Sequence, residues 1–179
     1  DSFDLQSETL QAVFEKVLDG DNEGAVALTR AAIDDLMAGN VDASRLVISR
    51  TVRDFDSYKA SDRMVNVRAA KKLQEMGYEF QPGMKVSWVV TDGRKSPNEV
   101  EPWVQGREFT ARPDYRYYAT RLSATISRVT DSFGWDQKSL VSGAQQVTFK
   151  DNDFENKRAA KVAAQPRKTD KKLKLDDFM

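Results

Sequence analysis

Apolar residues recur at helical spacing through the first part of the chain. In LQSETLQAVFEKVL, residues 5–18, Leu10, Val13, Phe14, Val17 and Leu18 fall at i, i+3 and i+4 intervals until DGDN interrupts the pattern. EGAVALTRAAIDDLMAG repeats it with Val26, Ala27, Ile33, Leu36 and Met37, and stops at Gly39, a residue suited to a left-handed C-cap. The spacing predicts two amphipathic helices paired as a hairpin over residues 1–40. A short apolar run follows at Leu46 to Ile48, then the charged stretch SRTVRDFDSYKASDR. A third helical pattern, VNVRAAKKLQEM at about 65–76, is closed by Gly77.

Between 82 and 104 the pattern changes. PGMKVSWVVTDGRKSPNEVEPWV carries β-branched and aromatic residues on both sides of a turn-rich centre, which predicts a β-hairpin or a pair of strands. DYRYYATRLSATISRVTDSF, from Asp114 to Phe133, returns to helix with Tyr118, Leu122, Ile126 and Val129 along one face. A loop, a turn of helix and an extended piece complete a segment expected to run over 41–149. From Lys150 the composition turns to Lys, Ala, Asn, Asp and Gln, which bury too little apolar surface to offset the entropy of ordering. Residues 150–171 are therefore expected to be a flexible linker. The fold class expected is α+β and mostly helical, with one small β-hairpin.

Composition narrows the chemistry. At 179 residues and 40% hydrophobic content the chain is long enough for one sizeable core. It has no Cys and no His, which removes disulfides, thiol nucleophiles, Cys/His zinc sites and imidazole bases. No run of about 18 apolar residues exists to span a membrane, and the first residues lack the basic and apolar regions of a signal peptide. A soluble, cytoplasmic protein with no membrane partner is expected.

Lys+Arg and Asp+Glu balance at 28 each, so only the distribution of charge is informative. Between Arg45 and Lys72 stand Arg45, Arg50, Arg53, Lys59, Arg63, Arg68, Lys71 and Lys72, against Asp54, Asp56 and Asp62. Tyr58 and several hydroxyl side chains lie inside this run, a mixture suited to a sugar–phosphate backbone, or to a solvated face with scattered ion pairs. The carboxylate pairs Asp19 with Asp21, Asp34-Asp35, Asp151 with Asp153 and Asp176-Asp177 sit at helix ends or in polar segments and give no catalytic constellation. DGDNEG lacks the later ligands of a calcium loop, and there is no glycine-rich phosphate cradle. No catalytic and no metal-binding residue is assigned.

The order of motifs resembles one family. RLVISRTVRDFDSYKAS, VNVRAAKKLQEMGYEFQPGMKVSWVV and DYRYYATRLSATISRVTDSFGW are similar to successive segments of the C-terminal thumb of archaeal-type family B DNA polymerases. DSFDLQSETLQAVFEKVL resembles the last palm helix leading into it. Together the motifs cover residues 1–149, with Val65-Asn66 standing where the family has Pro-His. The resemblance implies a thumb that grips primer–template duplex, with Arg50, Arg53, Tyr58, Lys59, Arg68, Lys71 and Lys72 as the DNA-binding residues. It also implies that the catalytic aspartates, and the Mg2+ they hold, belong to a larger partner chain with palm and exonuclease domains. The chain is then expected to be the small part of a split polymerase or a fragment of one, and archaeal.

The closing KLKLDDFM, residues 172–179, is similar to clamp-binding (PIP-box-like) peptides. Lys172 occupies the usual Gln position, and Leu175, Phe178 and Met179 occupy the apolar anchors. The i, i+3 spacing of the anchors suits a 3₁₀ turn. A sliding clamp is the implied partner. The alternative from another class is a non-enzymatic helical adaptor whose tail binds a clamp or other protein and which makes no DNA contact.

Overall fold

Asp21 begins the second of two antiparallel helices by accepting a hydrogen bond from the Gly24 amide at 2.8 Å. Helices α1 (Asp4–Leu18) and α2 (Asn22–Met37) form the expected hairpin in the computed structural model, which describes residues 1–145. The extended piece expected at 146–149, the linker at 150–171 and the terminal peptide at 172–179 lie outside the described residues.

The buried face of α1 is not the stripe that periodicity selects. Leu5, Thr9 and Val13 are buried, whereas Phe14 and Leu18 are 47% and 85% exposed. A threonine can enter the core because its hydroxyl returns to the Leu5 carbonyl at 2.6 Å. Thr29 does the same in α2 with the Ala25 carbonyl at 2.8 Å, beside buried Val26, Ile33 and Leu36.

Three antiparallel strands follow in the order β1 (Ile48–Thr51), β2 (Lys85–Asp92), β3 (Glu99–Pro102). The expected hairpin is β2–β3, with Val90 opposite Val100 and Trp88 opposite Pro102. Strand β1 is an addition to it, formed inside the charged stretch, with Ile48 opposite Trp88 and Arg50 opposite Val86. Helix α3 (Val65–Glu75) packs on β2 and β3 through Val67, Ala69 and Ala70. Helix α4 (Tyr115–Thr130) packs against α1 and α2 with Tyr118, Leu122 and Ile126 buried, and α5 (Gln137–Ser142) closes against α2 and α4.

What joins sheet to helices is a pair of hydrogen bonds at Val90. The Ser87 carbonyl accepts from Trp103 on the β3 side, so alternation turns the N–H and C=O of Val90 toward the β1 side. Strand β1 has already ended there, at Ile48 opposite Trp88. The start of α4 takes its place: Val90 N–H donates to the Tyr118 hydroxyl at 2.8 Å, and Val90 C=O accepts from the Asp114 amide at 2.9 Å. Asp114 also caps α4 through the Tyr117 amide and holds the Gly93 amide at 2.8 Å. Tyr118 is fully buried, edge-on to Phe3 and Tyr117, and burial pushes its hydroxyl well above the ordinary phenol range.

Tyr118→Phe keeps the ring and leaves the buried Val90 N–H without its acceptor. The expected loss is about 1–3 kcal/mol in urea unfolding. A variant as stable as the parent would show that the ring alone holds α4 to the sheet.

Candidate nucleic-acid interface

The basic run from Arg45 to Lys72 covers β1, a loop with two short 3₁₀ turns (Phe55–Ser57 and Ser61–Arg63), and most of α3. Val52 anchors the loop, since its N–H donates to Met84 C=O at 2.9 Å and its C=O accepts from Gly83 at 2.8 Å. Asp54 starts the first turn by accepting from the Asp56 amide. Tyr58 folds back so that its hydroxyl accepts from the Arg53 amide at 3.0 Å, with the Arg53 guanidinium 5.4 Å from the ring centre. That backbone hydrogen bond, aided by the side chains of Arg53 and buried Asn66, holds the Tyr58 hydroxyl below the usual phenol range. Phe55 stacks on Phe80 at 4.8 Å, which ties the loop to the chain after α3.

Pairing divides the seven residues selected from the sequence. Lys72 donates to Glu99 at 2.7 Å, to Glu101 at 3.0 Å and to the Val100 carbonyl at 2.9 Å. Arg68 reaches the other Glu99 oxygen at 3.3 Å, and Lys95 approaches it at 3.6 Å. These two cations of α3 therefore face β3 and are occupied inside the fold. Arg50 pairs with Asp1 at 2.6 Å on the exposed side of β1. Arg53, Tyr58 and Lys59 lie together on the loop, and Lys59 makes no ion pair among the described residues. Lys71 stands at the edge of this group, 2.9 Å from an Asp62 that is 90% exposed and 5.9 Å from the Phe55 ring centre. A pair so exposed holds the lysine weakly.

Arg63, exposed and likewise without an ion pair among the described residues, belongs with this surface. It lies in the basic run outside the residues that the resemblance implies, and it differs from Arg68 in having no Glu99 carboxylate beside it. The outer surface carries Arg53, Lys59, Arg63 and Lys71 against Asp54, Asp56 and Asp62. So small an excess favours short-range contact with phosphates over long-range steering. The clamp-binding residues Lys172, Leu175, Phe178 and Met179 lie outside the described residues.

No family model matches the chain. DNA polymerase 2 of Aeropyrum pernix is 32% identical over 152 residues, 83% of this chain and 18% of that protein. The DNA polymerase of Thermococcus kodakarensis is 28% identical over 76% of this chain and 8% of its own length. The structure of the family B DNA polymerase from Pyrobaculum calidifontis matches 72% of this chain and 18% of its own, at 26% identity and a TM-score of 0.59. The chain is similar in sequence to DNA polymerases and in structure to a family B DNA polymerase. The relation extends beyond archaea, since the DNA polymerase delta catalytic subunit of Plasmodium falciparum is 26% identical over 78% of this chain and 13% of that protein. The chain thus spans less than a fifth of the length of these curated proteins. No helix among the described residues is long and apolar enough to cross a membrane.

The Glu99 cluster gives the chain a defined pH response. Hydrogen bonding from Lys72 holds the Glu99 carboxyl below the ordinary glutamate range. Burial works against the Lys72 ammonium, but its hydrogen bonds to Glu99 and Glu101 outweigh this and raise its pKa. A depressed carboxylate contributes stability above its unfolded value and loses it as pH falls through the folded value. Glu99→Gln is expected to cost about 1–2 kcal/mol at neutral pH, and the gap should close below about pH 4. A gap constant across that range in urea unfolding would contradict the assignment.

Proposed function

We propose that the chain is the thumb-bearing, C-terminal part of a replicative family B DNA polymerase, gripping primer–template duplex. The observation that carries this reading is the similarity to DNA polymerases over 83% of the chain. The unpaired cations of the 53–63 loop support it as the contact surface. Arg53, Lys59, Arg63 and Lys71 meet phosphates while Tyr58 fixes the Arg53 guanidinium, so the loop sets the position of the duplex and reads no sequence. Arg68 and Lys72 act from behind by holding α3 on the sheet.

Such a grip keeps a primer end in register with an active site, a contribution of orientation and not of bond chemistry. The catalytic aspartates and their Mg2+ ions are supplied by the larger partner with the palm and exonuclease domains. The terminal peptide with Lys172, Leu175, Phe178 and Met179 tethers the assembly to a sliding clamp, raising the local concentration of clamp near the polymerase.

Binding of a labelled primer–template to the full chain, measured across salt concentrations, tests the grip. Lys59→Ser with Arg63→Ser should weaken binding several-fold and reduce the salt slope by about 2, whereas the parent slope would contradict it. A chain ending at residue 171 should keep its DNA affinity and lose a clamp retained by the full chain. Undiminished retention would remove the tail from the account.

A further inference from the structure

A second basic surface lies at the other end of β2. There the turn into β3 and the first turns of α4 enclose a groove lined by Arg94, Arg112 and Arg116 together with Tyr115 and Tyr117. Arg121, one turn further along α4, stacks over Tyr117 at 5.9 Å. Two carboxylates face these four guanidiniums. Asp92 holds Arg94, at 3.2 Å. Asp114 has one oxygen on the Tyr117 amide and the other on the Gly93 amide. Arg112 and Arg116 are exposed and make no ion pair among the described residues.

The groove is built before any ligand arrives. Gly93 approaches Tyr117 so closely that a Cβ there would collide with the ring. Tyr115 packs against Gly39 at the end of α2, and the Arg112 guanidinium lies 5.7 Å from the Tyr115 ring centre. An arginine held over an aromatic face has its plane fixed while its N–H edges stay open to a bidentate oxyanion.

We infer that this groove is a second phosphate-binding surface, and that one nucleic-acid duplex contacts both it and the 53–63 loop. Arginines with ordered planes beside tyrosines suit a phosphodiester backbone better than the mobile carboxylates of an acidic protein. Spacing supports a shared ligand. The loop is anchored at Met84, just before β2, and the groove takes in Thr91 and Asp92, the last two residues of that strand. The eight residues of β2 extend over roughly 25 Å. That is the length of roughly seven base pairs. The inference rests on the DNA-gripping reading proposed above.

The test compares the full chain with Arg112→Ser/Arg116→Ser on a duplex of about 16 base pairs and on one of about 5 base pairs. On the long duplex the variant should bind several-fold more weakly, with a salt slope lower by about 2. On the short duplex, which cannot span both surfaces, the loss should be smaller. Arg112→Lys/Arg116→Lys should retain the parent slope, and coincident thermal melts confirm that all variants are folded. If the Lys59/Arg63 variant loses affinity while the Arg112/Arg116 variant does not, the second surface is overturned and the grip stands. A parent chain that binds no duplex overturns both. Unchanged DNA binding with lost affinity for polyglutamate would reassign the groove to an acidic protein and also overturn the inference.

Discussion

Val90 is the point at which two halves of the fold are held together. A central strand needs partners on both sides, and β2 outruns β1 by enough to leave the N–H and C=O of Val90 facing an empty edge. The start of α4 fills it with the Tyr118 hydroxyl and the Asp114 amide, so a helix completes a sheet. Because Asp114 also caps α4 and ties down Gly93, one residue sets the helix start, the turn after β2 and the angle between them. The Asp114, Tyr117 and Tyr118 spacing in the DYRYY stretch has this plain structural meaning. The same contacts shape the arginine-lined groove, so the device that closes the core also presents a surface.

Glu99 plays the corresponding part for α3. By collecting Lys72, Arg68 and Lys95 it turns the inner face of a basic helix into a link to β3. The cations of the run that remain are few and local, on the loop between β1 and α3 and at Lys71 of α3. A chain with no net charge can hold a polyanion in this way only through contact at fixed points, since its long-range field is small. Rigid placement of Arg53 by Tyr58 and of the loop by the Phe55–Phe80 stack therefore matters more here than charge count.

Much of this was legible in the residues. The helices α1, α2, α3 and α4 stand within a few residues of where periodicity and glycine stops put them, because apolar spacing and caps are local properties. Strand β1 was not legible: of Ile48, Ser49, Arg50 and Thr51 only Ile48 is buried, so the pairing with β2 leaves no alternating apolar signal. Phe14 and Leu18 satisfied the helical period yet face outward, since Thr9 occupies the core by bonding its own backbone. The charge run was legible as a run but not as two faces. Arg68 and Lys72 lie on α3 with carboxylates of β3 opposite them, whereas Lys59 and Arg63 lie on the loop before it without an ion pair among the described residues. The groove arginines leave no signal in the sequence because Arg94 and Arg112 to Arg121 come from separate segments that the Val90 contacts bring together.

The division of the basic run into an inner, structural face and an outer face proposed to bind DNA is open to direct observation. Side-chain guanidinium and ammonium NMR signals, followed while a primer–template duplex is titrated into the labelled full chain, report each cation separately. Arg53, Lys59, Arg63 and Lys71 should shift with added DNA while Arg68 and Lys72 keep the signals of their Glu99 pairing. Shifts confined to Arg68 and Lys72, with the loop unmoved, would contradict the division.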